Sequence, residues 1–112
     1  MLNTELFKSS YEDFDQEIIN EIIQMFFEDY RQALENIQNA IQRNDPQLLS
    51  QMAHKYKGTV SSMYDAELKN TVQKLENLGK QGDLTGADAI LQLVAEQSEI
   101  LVSQLKTLVK EA

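Results

Sequence analysis

Ser50 to Asp65 reads SQMAHKYKGTVSSMYD and contains the single histidine of the chain and one of its four glycines. On a helical wheel of about 100° per residue, Leu48, Leu49, Met52, Tyr56, Thr59, Val60 and Met63 fall within about 60° of one direction. That is a core face. His54 points almost directly away from it, and its neighbours one and two turns along are Ser50, Gln51, Lys57, Gly58 and Ser61. The imidazole is therefore expected in solvent, among small or polar side chains and beside a lysine. Gly58 in mid-helix costs about 1 kcal/mol relative to alanine. Core packing asks for no glycine on an outward face, so its smallness points to a need for room at His54.

Outward from this stretch the chain reads as helix. Asp45-Pro46 is a cap followed by proline at the first helical position, where a missing N–H does no harm. The His54 helix is expected to start at Pro46 and to stop near Met63 or Tyr64, because Asp65 is a good N-cap for a following helix. Upstream, Asp13 and Gln16 fit a helix-start signature. From Phe14 an apolar stripe runs through Ile19, Ile22, Ile23, Phe26, Tyr30, Ala33, Leu34, Ile37 and Ile41. A helix of about 28 residues, about 42 Å long, is predicted to end at Asn44. Leu2, Leu6 and Phe7 suit a short helix lying across one end of a bundle.

Downstream, Leu68, Thr71, Val72, Leu75 and Leu78 form the next stripe, which ends in Gly79 and Gly82, either able to take a left-handed C-terminal cap. A last helix is expected from about Leu84 to Lys110, with Ala87, Ile90, Leu91, Val94, Leu101, Leu105 and Leu108 inward and Gly86 weakening its first turn. Short loops make successive helices antiparallel. The expected fold is all-α: one domain over residues 1–112, an up-down-up-down four-helix bundle with a short additional N-terminal helix.

Composition sets limits on function. One hundred and twelve residues are enough to bury a core without staples, and the absence of cysteine removes disulfide and thiolate chemistry. The net charge of −8 argues against nucleic acid or an anionic membrane surface as partner, since both reward lysine and arginine. No stretch approaches 18 apolar residues, and MLNTELFKSS lacks a basic region followed by an apolar run. A soluble cytoplasmic monomer is the expectation.

Few chemistries remain. Zinc needs three or four His, Cys or carboxylate ligands, and a di-iron bundle needs Glu-x-x-His, whereas the residue three before His54 is Gln51. No metal site of its own is expected. Gly-rich phosphate loops and a G-x-S-x-G elbow are both missing. Ser61 lies two turns from His54 on the same face, but an open helix surface offers neither pocket nor oxyanion donors. What the surface offers is a nucleophile, the lone pair of a neutral imidazole. Lys55 and Lys57 stand ready to offset the charge of a phosphoryl group on the ring, and Gly58 and Ser61 leave it room.

Ala53-His54-Lys55-Tyr56-Lys57-Gly58 resembles the A-H-x-L-K-G signature of histidine-containing phosphotransfer (HPt) domains, the relay modules of two-component signalling. Leu68 and the pair Leu75-Glu76 fall where that family has a leucine and an L-E pair, Gly82-Asp83 follows at the usual turn, and FDQEIINEIIQMFFEDY from Phe14 is similar to its first long helix. The resemblance implies a phosphorelay intermediate that takes a phosphoryl group from a receiver domain's aspartyl phosphate onto His54 and passes it to another receiver's aspartate. It implies a phosphocarrier without an ATP site, Mg²⁺ held by the receiver, and receiver domains and a hybrid histidine kinase as partners. Glu76 occupies the position of a residue that hydrogen-bonds the imidazole; on its own helix it lies about 100° from the core direction, at the border, from where it could reach across to His54. Three positions depart from the pattern: Tyr56 replaces a leucine, Thr59-Val60 a Ser-Ser pair, and Tyr64 a glycine. A non-glycine residue disfavours the left-handed conformation by about 1 to 2 kcal/mol, so the turn before Asp65 is expected to differ and to bring a phenol nearer the docking face. The alternatives are a receiver-docking adaptor that carries no phosphate and a structural helical bundle.

Overall fold

The computed structural model describes residues 1–109. Among these, five helices and no strand form: α1 (Thr4–Ser10), α2 (Gln16–Gln42), α3 (Pro46–Ser61), α4 (Ala66–Gln81) and α5 (Ala87–Lys106). Helices α2 to α5 pack as the expected antiparallel bundle, each against its two neighbours in the ring α2–α3–α4–α5. Their apolar stripes meet along one axis, where Ile23, Phe26, Ile37, Leu49, Tyr56, Val60, Leu68, Leu75, Val94 and Leu101 are buried. No helix among the described residues is long and apolar enough to cross a membrane.

The caps explain most of the boundaries. Asp45 and Asp65 each accept a hydrogen bond from the backbone N–H three residues on, Leu48 and Leu68, at 3.1 Å. Helix α2 ends in a Schellman turn, with the Asp45 N–H donating to Ala40 O and the Asn44 N–H to Ile41 O, while Asn44 takes φ 51°. Helix α4 ends likewise at Gly82, with φ 76°.

Several expected boundaries shift. A turn between Tyr11 and Phe14 joins α1 to α2, so Asp13 caps nothing: Asp15 precedes the first helical residue, and Phe14 is exposed. Regular helix in α3 stops at Ser61 and continues as tighter turns through Met63, which is buried as expected. Helix α5 starts at Ala87 rather than near Leu84, because Gly86 adopts φ 83° before it and Asp83 binds the Thr85 N–H across the connection. The helix ends at Lys106, and Lys110 lies outside the described residues. Thr59 is exposed rather than in the core, since the flank of α3 toward α2 is open; Ala53 takes the buried place instead.

Tyr64 adopts the left-handed conformation, φ 61°, that its side chain disfavours. Helix α1 holds it there. The Asn3 N–H donates to Tyr64 O at 2.9 Å, the Tyr11 hydroxyl donates to Ser62 O at 2.8 Å, and the Tyr64 ring packs edge-on against Phe7 and Tyr11. The expected change of turn does not occur, and the phenol is taken up under α1, which closes the end of the bundle as anticipated. Tyr56 is also accommodated: its buried hydroxyl pairs with Ser98 Oγ of α5 at 2.7 Å.

Candidate functional site

The site grows from the way α3 meets α4. A Cβ on Gly79 would lie 2.6 Å from Pro46 O, 2.6 Å from Ser50 N and 2.9 Å from Ser50 Cα, closer than any real side chain is tolerated. Glycine therefore lets the two backbones touch. His54 is one turn beyond Ser50, and Glu76 one turn before Gly79 on the antiparallel neighbour, so the close approach carries these two side chains together.

His54 stands in solvent, its side chain 70 % exposed. Its Nδ1 lies 3.1 Å from Oε1 of Glu76. Glu76 itself is 1 % exposed, not the border residue that its helical angle suggests, and its carboxylate meets ammonium groups from both helices. Its Oε1 also meets the Lys57 ammonium at 2.9 Å, and its Oε2 meets that of Lys80 at 2.8 Å. Lys57 donates further to Gln73 Oε1 at 2.8 Å, and Gln73 to Asn77 Oδ1 at 2.8 Å. Burial alone pushes the Glu76 carboxyl up; the hydrogen bonds from Lys80, Lys57 and His54 more than reverse this and hold it at about 2. At neutral pH Glu76 is a carboxylate with only acceptor sites, so Nδ1 must be the donor. In the neutral ring Nε2 then carries the lone pair, and the carboxylate fixes both tautomer and orientation.

The residues singled out in sequence take different places. His54, Lys57 and Glu76 come together. Gly58 is open: a Cβ there would meet nothing within 4 Å. Lys55 is exposed and lines the groove between α3 and α2, as Asp29 and Thr59 do. Ser61 donates its hydroxyl proton to Lys57 O on its own helix, at 2.8 Å, so that proton is already engaged. Lys57, only 20 % exposed, is engaged with Glu76 and Gln73 rather than free beside the ring. Sequence reasoning missed Gln73, Lys80 and the role of Gly79. Two signals were available: Lys80 stands four residues after Glu76, the spacing of a helical ion pair, and Gln73 stands three before it on the same flank.

A sequence model of the Hpt domain matches residues 21–112. The chain belongs to the Hpt domain family. An Hpt domain of this kind is a phosphorelay intermediate of two-component signalling, a phosphocarrier rather than an enzyme. The fold is similar to the crystal structure of histidine-containing phosphotransfer protein B (HptB) from Pseudomonas aeruginosa PAO1, with a TM-score of 0.87 and 25 % identity over 95 % of this chain and 91 % of that one. No curated protein sequence matches the chain.

Proposed function

We propose that His54 is the phosphoacceptor of this Hpt domain and that transfer takes place at Nε2. The observation that carries the reading is the Nδ1 contact with a buried, ionised Glu76, which aims the Nε2 lone pair outward from an uncluttered helix face. The lone pair attacks the phosphorus of a receiver's aspartyl phosphate. The P–N bond forms as the P–O bond to the aspartate breaks, and the carboxylate departs with that electron pair. No proton has to leave Nε2, so no general base is needed. Passing the group to a second receiver reverses the same step.

Transfer of this kind relies on positioning and charge compensation rather than covalent machinery. Helix α3 carries Lys55 and Lys57 and no acidic residue, on a chain with a net charge of −8. The face presented to an acidic receiver cleft is thus locally basic. Lys57 supplies positive potential next to the ring, Lys55 extends it toward α2, and Gly58 leaves the surface low enough for a partner to seat. The Mg²⁺ and the phosphoryl donor belong to the receiver; the chain contributes no ATP site. The partners are receiver domains and a hybrid histidine kinase, met by a monomer in the cytoplasm. Incubation with phosphorylated receiver domains is expected to place an acid-labile, alkali-stable phosphate on the chain that is lost in His54→Gln. Equal labelling of His54→Gln overturns the assignment.

A further inference from the structure

In the resting ring the proton on Nδ1 sets orientation. After transfer it acquires a second consequence. Bond formation at Nε2 leaves a phosphorylated ring that still holds Nδ1–H and carries positive charge. That ring either releases the proton to water or keeps it. From the protonated ring the phosphoryl group departs from neutral imidazole; from the deprotonated ring it has to leave an imidazolate, a much poorer leaving group. The proton on Nδ1 therefore decides how good a donor the phosphorylated chain is.

What faces that proton is an anion, Oε1 of Glu76 at 3.1 Å. A glutamine there would accept the same hydrogen bond without charge; a carboxylate additionally favours the charged ring. The charged groups facing Glu76 are His54 and Lys57 from α3 and Lys80 from its own helix. They divide the carboxylate between them: among the described residues Lys80 alone pairs with Oε2, at 2.8 Å, while Lys57 shares Oε1 with His54. If Lys57 turns to the phosphoryl oxygens, Lys80 still keeps the carboxylate paired and ionised. Resting on the reading of His54 as phosphoacceptor, we propose that Glu76 retains the Nδ1 proton on the phosphorylated His54 ring and so makes this chain a fast, short-lived phosphoryl donor. Here Glu76 is a positioning residue that also sets donor strength.

Glu76→Gln keeps the shape and the hydrogen bond and removes the charge. Wild type and variant are phosphorylated with phosphoramidate, a small donor that needs no docking, and the ring is titrated by ³¹P and ¹⁵N NMR. The Nδ1 proton is expected to titrate at lower pH in Glu76→Gln. A midpoint one unit lower leaves about a tenth of the protonated ring at a pH well above both midpoints, with hydrolysis and transfer to a receiver slowed to match. Equal midpoints and equal lifetimes overturn the proposal. A second measurement needs no variant: the hydrolysis-against-pH profile of the wild-type phosphoprotein is expected to break at higher pH than that of free phosphohistidine, and a break at the same or lower pH overturns the proposal as well. Absence of label at residue 54 in both proteins overturns the phosphoacceptor reading itself, and the proposal with it.

Discussion

On the flank of α3 that meets α4, the backbones come so close that a Cβ at Gly79 would lie 2.6 Å from main-chain atoms of the facing helix. On the flank that meets α2, Tyr30, Met52, Tyr56 and Thr59 line an open groove of about 240 Å³. The tight flank is polar where it surfaces, with His54, Lys57, Gln73, Glu76 and Lys80 joined in one network. The loose flank is anchored instead through its two tyrosines: the Tyr30 hydroxyl donates to Glu99 Oε1 at 2.9 Å and accepts from Arg31 Nε at 3.1 Å, and the buried Tyr56 hydroxyl pairs with Ser98. The difference shows where precision is needed. On the proposal that His54 carries the phosphoryl group, its ring has to be held to within about half an ångström by groups from a second helix, and the close approach at Gly79 brings short contacts from α4 within reach.

Gly79→Val puts the largest load on this comparison. The added side chain has to push α3 and α4 apart, at about 3 kcal/mol or more. A thermal melt is expected to fall by about 10 °C or more, and the Nδ1 signal of His54 is expected to lose its hydrogen-bonded shift; unchanged values for both would show that the close approach is not what holds the site.

The next effect is on pH. Glu76 is ionised down to about 2 in the folded chain against an ordinary 4.5, so its depressed value stabilises the fold above about 4.5, and that contribution is lost as pH falls from there toward 2. Lys80 is 61 % exposed and screened, which reduces the effect to about 1 to 2 kcal/mol. Denaturant unfolding of wild type and Glu76→Gln should converge as pH falls through this window, and parallel curves would refute it.

On the loose flank, Tyr56→Phe strands the Ser98 hydroxyl in the core and is expected to lower stability by about 1 kcal/mol while leaving transfer from a receiver unchanged; a loss of transfer would tie the two flanks together. Gly58→Leu has the smallest effect on the fold. With open space around its Cβ, it is expected to gain up to about 1 kcal/mol from helix propensity. Labelling by phosphoramidate should persist while transfer from a receiver drops at least tenfold. Full receiver activity would show that the room at residue 58 is not needed.

Much of this was legible in the chain. Helical periodicity, the aspartate caps at 45 and 65 and the lone outward histidine follow from local stereochemistry, in which each residue's place depends on neighbours three and four positions away. Asp13 was misread because it falls inside the turn that the Phe14 N–H closes on Tyr11 O, so the helix starts two residues later than expected, with Asp15 before it. Tyr64 was misread because the strain of its left-handed backbone is offset by Asn3, Phe7 and Tyr11, about sixty residues away in sequence.

By itself the sequence determined the four amphipathic faces, their antiparallel order and the exposure of His54, since helix phase and loop length are local quantities. Only the tertiary structure decided that Glu76 is buried rather than on the border, that Lys57 is engaged rather than free, that Lys80 pairs with the second carboxylate oxygen, and that a Cβ at Gly79 would strike the facing backbone where one at Gly58 would meet nothing within 4 Å. The physical reason is the separation between α3 and α4. It depends on which atoms of two helices meet across the bundle, and no periodicity within either helix contains that distance.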